Sequence, residues 1–182
     1  LRGPLMPLRK GGEEEEDGSK VRSSIDAKYL AAWNDAAERH RDDLQSAAQY
    51  RKICLHPTLF ELAVQPSWLA PSFLAAFAGG QPDAAILHSM VEQVAPGIFA
   101  FDFLSAHFCD QLLCELEQYE NSGLPVSRPN SMNNYGVVIN AIGMERTMDA
   151  LQRQYVRPMA MALFPIEGET IDHHHTFMVQ YK

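Results

Sequence analysis

The chain has 182 residues, of which 46% are hydrophobic, and its formal net charge is −8 at pH 7. This length predicts one domain with at most an appended segment, and the apolar content is enough for a core and excludes wholesale disorder. The acidic balance argues against nucleic acid or an anionic membrane as a partner, because both are bound by clustered Lys and Arg. No apolar run approaches the roughly 18 residues of a membrane-spanning helix.

Cysteine usage bears on the compartment. The three cysteines, Cys54, Cys109 and Cys114, are an odd and widely spaced set. This does not match a disulfide framework and fits a reducing environment. We therefore expect an intracellular protein, cytoplasmic or nuclear.

The first 24 residues differ in composition from the rest. They combine Gly and Pro with the acidic block "EEEED" at 13–17. Such a segment predicts a disordered acidic leader at 1–24, with an acidic interaction tail as the alternative. The first residue is Leu1 rather than Met, which we interpret as a sign that the chain is cut from a larger protein.

A helical N-terminal region is expected over 25–93. Ser24 is the predicted N-cap of one long helix at 25–53, whose narrow apolar stripe packs on its own domain or on a partner chain. Pro57 ends this pattern, because a proline forces the residue before it out of the helical region. The aromatic segment 68–77 predicts a short helix that contributes to a small core.

The character of the sequence changes near residue 94. "PGIFAFDFL" predicts a strand that is apolar on both faces and therefore buried. The clearest helix follows at 105–122, with Ser105 as its N-cap and Gly123 at its end. Cys109 and Cys114 lie on it and are predicted to be buried small hydrophobes.

The last third contains two more strands and one helix. "YGVVI" predicts a strand, and 147–163 predicts an amphipathic helix that Pro158 should kink. "DHHHTFMVQYK" predicts a further strand. If the domain ended there, a long apolar edge would stay unpaired, which native proteins avoid, so we expect the chain to stop inside a domain.

Three consecutive histidines begin this last predicted strand. Alternation along a strand would place His173 and His175 on one face, and His174 with Asp172 on the other. The spacing suits metal ligands, but neither face supplies the three ligands that a catalytic metal needs. The alternatives are a polar strand start near the surface and a zinc or nickel site at His173 and His175.

Three stretches, "RPNSMNNYGVVI", "PMAMALFP" and "DHHHTFMVQYK", occur in the same order in a known enzyme group. In them the sequence resembles the eukaryotic 2-oxoglutarate- and iron-dependent oxygenase domain-containing protein 2 group, which is similar to the prolyl and lysyl hydroxylases. The resemblance implies an α+β fold. N-terminal helices would precede a double-stranded β-helix (jelly-roll) dioxygenase domain. Residues 94–182 would form only the first part of this domain, namely its support helices and opening strands, so the domain would be incomplete.

The resemblance also implies where the site lies. The group holds iron with a His-x-Asp pair and a distant His, which are expected beyond Lys182, so no catalytic or metal-binding residue is assigned within the chain. Tyr181 matches a strand tyrosine that hydrogen-bonds 2-oxoglutarate in related hydroxylases; the alternative is a core tyrosine. Asn133, Asn134 and Tyr135 match "NNYG" and are assigned to a substrate-side loop, with a cap of the turn before the strand as the alternative.

By this resemblance, the parent protein would be a dioxygenase that decarboxylates 2-oxoglutarate to succinate. It would use Fe(II), oxygen and ascorbate to hydroxylate an unidentified substrate, such as a prolyl or lysyl side chain of a protein. The fragment alone is expected to be inactive. The rival interpretation is a non-enzymatic helical module that docks a partner through the helix at 25–53 and the aromatic segment 68–77.

Overall fold

A computed structural model describes residues 14–127, 129, 132, 133 and 135–181, with side chains from residue 27 onward. The first helix, α1, spans Glu14–Tyr50. The predicted helix is therefore confirmed from residue 25 to 50. The predicted start is wrong, because Ser24 lies inside the helix and residues 14–24 of the expected leader are helical. The acidic block of the sequence coincides with this start, and acidic residue types are favoured in the first turn of a helix because of its dipole. Residues 1–13 lie outside the described part.

The chain divides into two compact units, 1–42 and 43–182. In the first unit the large apolar side chains of α1 face solvent, with Tyr29 and Trp33 73% and 75% exposed. In the second unit the end of α1 is buried at Tyr50. The boundary that the sequence predicts at residue 93 stays a prediction.

Pro57 keeps the residue before it out of the helical region as predicted, although α1 already ends at Tyr50 and Pro57 itself begins a 3₁₀ turn. The preceding residue, His56, has φ −124° and ψ 77°, outside the helical region. The aromatic segment 68–77 is also in the core as predicted, with Trp68, Phe73 and Phe77 buried. Four short helices cover this part of the chain: two 3₁₀ turns at Pro57–Phe60 and Pro66–Trp68, α2 at Pro71–Ala76 and α3 at Ala84–Met90.

A small hairpin replaces the predicted buried strand near residue 98. Strand β1, Glu92–Ala95, pairs antiparallel with β2, Ile98–Ala100, across a turn at Gly97 with φ +73°. Ile98 is 57% exposed, so the prediction of a strand buried on both faces is wrong. The apolar residues after β2 pack in the core instead of extending the strand. The ring of Phe103 packs on that of Phe73, with the centroids 4.8 Å apart.

Helix α4, Ala106–Asn121, confirms the clearest prediction from the sequence. The hydroxyl oxygen of Ser105 accepts a hydrogen bond from the backbone N–H of Phe108 at 3.2 Å. Gly123, with φ +77°, follows its end. All three cysteines carry free thiols, and Cys114 is exposed, so its predicted burial is wrong. The local signals at the ends of a helix fix its limits, but not the environment of each face.

The helical stretch 145–163 is continuous but not uniform. Helix α5, Glu145–Leu151, leads through a π-helical turn at Gln152–Val156 into α6, Arg157–Leu163. Pro158 lies in the first turn of α6, directly after the wider turn, where its missing N–H is accommodated. The predicted helix is confirmed, and its apolar stripe packs against the core cluster.

The last strand has a partner within the chain. Strand β3, Gly136–Val138, pairs antiparallel with β4, Phe177–Val179, so that Val138 faces Phe177. Gly136 has φ +127°, and a Cβ atom there would overlap the carbonyl of Met178 on the partner strand. The close approach of the two strands therefore requires glycine at this position.

A fully buried carboxyl group on α4 joins distant parts of the second unit. Glu115 is 0% exposed and accepts hydrogen bonds from the Tyr50 hydroxyl and the His56 backbone N–H. The Nδ1 atom of His56 lies 3.0 Å from the same carboxyl. Burial, together with the hydrogen bond to Glu115, raises the pKa of Tyr50 far above its ordinary value, so the phenol stays protonated as a donor.

Tyr50→Phe tests the importance of this network. The substitution leaves the buried Glu115 carboxyl without one donor, and we expect the free energy of unfolding to fall by about 1–3 kcal/mol. The measurement is urea unfolding followed by circular dichroism. Tyr29→Phe is the matched control because Tyr29 is 73% exposed. Equal stability of the two variants would contradict the assigned role of the network.

Gly136→Ala tests the close approach of β3 and β4. The backbone conformation alone costs about 1–3 kcal/mol for a residue with a side chain, and the overlap with Met178 adds to it. We expect lower stability and faster hydrogen exchange of the Gln180 amide, which donates to the Tyr135 carbonyl. Gly79→Ala is the control, since a Cβ atom there meets nothing within 4 Å. A Gly136→Ala protein as stable as this control would refute the constraint.

Candidate functional site

The two most specific sequence motifs meet in the β3–β4 ladder. The backbone N–H of Gln180 donates to the carbonyl of Tyr135 at 3.3 Å, and that of Ile139 donates to the carbonyl of Thr176 at 3.0 Å. "YGVVI" and "TFMVQ" therefore run side by side, although some 40 residues separate them in sequence. The ladder places the residues that the sequence singled out around one small sheet.

A cleft of about 570 Å³ lies between α4 and this ladder. The residues that the structure describes along it include two carboxylates, Glu117 and Glu120, and no basic side chain. A dianion such as 2-oxoglutarate needs positive charge nearby, so these lining residues do not fit it. The cleft is lined by Leu113, Leu116, Glu117, Glu120, Asn121, Gly136, Val137, Met178, Val179 and Gln180.

The predicted cofactor-binding and substrate-side residues lie at the ends of the ladder. Tyr181 follows β4 and is 89% exposed, so in the described chain it is not a core tyrosine. Tyr135 precedes β3 and is 54% exposed, whereas Asn133 is half-buried. Asn134 lies outside the described residues. Binding of 2-oxoglutarate by Tyr181 and the role of the loop stay predictions.

The three histidines precede the strand, since β4 begins at Phe177. Their exposure still alternates as predicted, because His173 and His175 are exposed while His174 is half-buried. His173 is 93% exposed and lies 2.6 Å from the carboxylate of Asp172. His174 is only 15% exposed. Polar residues at 172–175 resemble a strand start in sequence, but the ladder forms only where β3 provides partners.

The arrangement of possible metal ligands bears on the iron site that the resemblance implies. Among the residues described, no group of three or more His, Cys, Asp or Glu side chains is arranged to hold a metal ion. The described side chains therefore do not by themselves supply a three-ligand metal site. The zinc or nickel site at His173 and His175 stays a prediction. In the same part of the chain, no helix is both long and apolar enough to cross a membrane.

Sequence reasoning missed two features of the second unit. One is the buried Glu115. Its position between Leu112 and Leu116 on an apolar helix face was the sequence signal for its burial. The other is an apolar cavity of about 360 Å³ between the β1–β2 hairpin and α6. The phenylalanines of "IFAFDF" were the signal for this cavity, and the sequence analysis assigned them to a buried strand. The rings around the cavity are those of Phe73, Phe99, Phe101, Phe103 and Phe164.

Known proteins match the chain over most of its length. It is 36% identical over 149 residues to the 2-oxoglutarate and iron-dependent oxygenase domain-containing protein ICU11 of Arabidopsis thaliana, covering 79% of this chain and 36% of that protein. It is 36% identical over 193 residues to the 2-oxoglutarate and iron-dependent oxygenase domain-containing protein 2 of Xenopus tropicalis, covering 96% and 55%. The chain thus spans about a third to a half of these relatives. No solved structure matches it significantly.

A more distant relative carries a hydroxylase name. The multifunctional procollagen lysine hydroxylase and glycosyltransferase LH3 of Homo sapiens is 26% identical over 175 residues, covering 89% of this chain and 22% of that protein. The family model of the OGFOD2-like domain matches residues 47–169. This match begins just before Tyr50 and includes Glu115, so it covers the network that organises the second unit. The chain therefore belongs to the OGFOD2-like family.

Proposed function

We propose that the protein to which this chain belongs is a 2-oxoglutarate- and Fe(II)-dependent dioxygenase. Such an enzyme uses one oxygen atom of O₂ to oxidise and decarboxylate 2-oxoglutarate to succinate, and the other to hydroxylate its substrate. The observation that carries the proposal is the family match over 47–169, together with relatives named as oxygenases of this kind. Ascorbate as a reductant is part of the proposal.

In our proposal this part of the chain has a structural share in the enzyme. Val137 of β3 lies in the same core cluster as residues of α4 and of the α5–α6 stretch, Met178 of β4 packs against that cluster, and the two oxygenase-like motifs are joined in the ladder. In our proposal the ladder is the opening of the double-stranded β-helix, and the iron ligands belong to sequence beyond Lys182. The described residues then position and shape the site rather than hold the metal.

A protein side chain is the substrate class that we propose. One relative is named as a procollagen lysine hydroxylase, which acts on a protein. Tyr135 and Asn133 precede β3 next to the Tyr181 end of the ladder, which suits a loop on the substrate side of the site. A lysyl or prolyl residue in an extended peptide is the form of substrate that this assignment favours.

Part of the rival interpretation, a helical binding module, has structural support. Tyr29, Leu30 and Trp33 on α1 are 62–75% exposed, which suits a contact with another molecule. The second half of that interpretation is wrong, because the aromatic rings of the segment 68–77 are buried in the core and are not available for a contact. Docking through α1 is compatible with an oxygenase, so it remains the second candidate function.

Succinate release tests the proposed enzyme. The full-length protein that contains this chain is incubated with 2-oxoglutarate, Fe(II), ascorbate and a peptide library containing lysine and proline. We expect succinate formation that requires Fe(II), stops on chelation of the metal and accompanies a mass gain of one oxygen in a peptide. The 182-residue chain is assayed in parallel and is expected to release no succinate. Absence of Fe(II)-dependent succinate from the full-length protein would refute the enzyme and leave the binding module.

Tyr181→Phe tests the predicted contact with the cosubstrate. Loss of a hydrogen bond to a carboxylate should raise the KM for 2-oxoglutarate about tenfold in the full-length enzyme, with a smaller effect on kcat. Tyr29→Phe is the control, because it removes the hydroxyl of another exposed tyrosine. An unchanged KM would rule out the contact while leaving the enzymatic activity itself in place.

A further inference from the structure

Of the three consecutive histidines, the middle one has two defined partners. The Nε2 atom of His174 lies 3.2 Å from Oδ1 of Asp149 on α5. Its Nδ1 atom lies 2.8 Å from the hydroxyl oxygen of Thr176, which directly precedes β4. One neutral tautomer satisfies both contacts, since the Nε2–H donates to the carboxylate while Nδ1 accepts from the hydroxyl. We infer that His174 is a positioning residue that fixes the start of β4 to α5.

The flanking histidines lack such an environment. His173 is 93% exposed, and its partner Asp172 is 74% exposed, so their ion pair contributes little. His175 is exposed, and its ring lies 5.4 Å from that of Phe177. The ring of His174, in contrast, is 15% exposed, and its two polar contacts are partly shielded from water. A hydrogen bond in such a place holds geometry better than one in bulk solvent.

The acceptor of this contact has a second partner. The other carboxylate oxygen of Asp149 lies 3.4 Å from the guanidinium of Arg153, one helical turn further along. Because the Arg153 side chain is 69% exposed, this pair contributes little to stability, and the link depends mainly on the contact between Asp149 and His174. The chain Arg153–Asp149–His174–Thr176 links a support helix to a strand that lies more than 20 residues later in the sequence.

This link reaches the β3–β4 ladder through Thr176. The Thr176 hydroxyl contacts His174, and its backbone carbonyl accepts from the Ile139 N–H in the first rung of the ladder. The last rung, from Gln180 to Tyr135, lies three residues beyond Phe177 and directly before Tyr181. If the first rung loosens, the short strand has few other rungs to keep its register. His174 thus helps to position Tyr181, and this last step rests on the proposed function.

Hydrogen exchange provides the direct test on the full-length protein. In His174→Ala we expect the Ile139 amide to exchange about fivefold faster, because the variant loses one or two hydrogen bonds that hold the start of β4. We expect the exchange of the Gln180 amide to become faster as well. His173→Ala is the matched control, since it removes a neighbouring imidazole of similar chemistry that is exposed. Exchange rates in His174→Ala that equal those in His173→Ala would overturn the inference.

Conservative variants separate positioning from general loss of stability. His174→Gln keeps an amide near the Nε2 position and can still donate to Asp149, so we expect it to restore most of the protection of Ile139. In an Asp149→Ala background the same variant should restore nothing, because its acceptor is gone. Rescue that does not depend on Asp149 would overturn the assigned link.

Kinetics then test the step to Tyr181. We expect His174→Ala to raise the KM for 2-oxoglutarate severalfold with a smaller change in kcat, and His173→Ala to change neither. Faster exchange with an unaltered KM would overturn the effect on Tyr181. If the wild-type protein releases no succinate, the proposed function fails, and the exchange measurements alone decide whether His174 positions the strand.

Discussion

The arrangement of the second unit depends on one carboxyl group that is shut off from water. A buried carboxyl is tolerated only where hydrogen-bond donors surround it, because its desolvation is otherwise costly. Glu115 finds them in the Tyr50 hydroxyl and the His56 N–H, which come from a segment some 60 residues earlier. Helix α4 is therefore restricted to one position against the end of α1. The T-shaped packing of Tyr50 on Tyr119, with centroids 5.0 Å apart, reinforces the same contact.

The same segment also holds the second support helix. The hydroxyl of Thr147, on α5, donates to the carbonyl of Leu59 at 2.9 Å, and both residues are buried. The stretch from Tyr50 to Phe60 thus makes buried hydrogen bonds to both α4 and α5. Both helices contribute to the core cluster that also contains Val137 of β3. The family model, which matches 47–169, begins just before this segment and includes β3 but ends before β4.

Local signals account for what the sequence predicts correctly. Ser105 and Gly123 mark the two ends of α4, and Pro57 keeps His56 out of the helical region, because each acts on the backbone next to it. Contacts between distant residues account for the rest. Glu115 looks like a surface residue by type, since glutamates are almost never fully buried without partners. The short β1–β2 hairpin was missed because exposed pairing over three or four residues leaves little periodicity.

The histidines show the same limit at the candidate site. Spacing alone made His173 and His175 the natural pair of ligands, with His174 facing the other way. The structure separates the three by what surrounds them, and the decisive group is Asp149, about 25 residues earlier on α5. A sequence pattern reveals which donor atoms are available, whereas burial and the position of a distant partner decide which of them acts. Here the residue with a defined geometric role is His174, which was not one of the two proposed metal ligands.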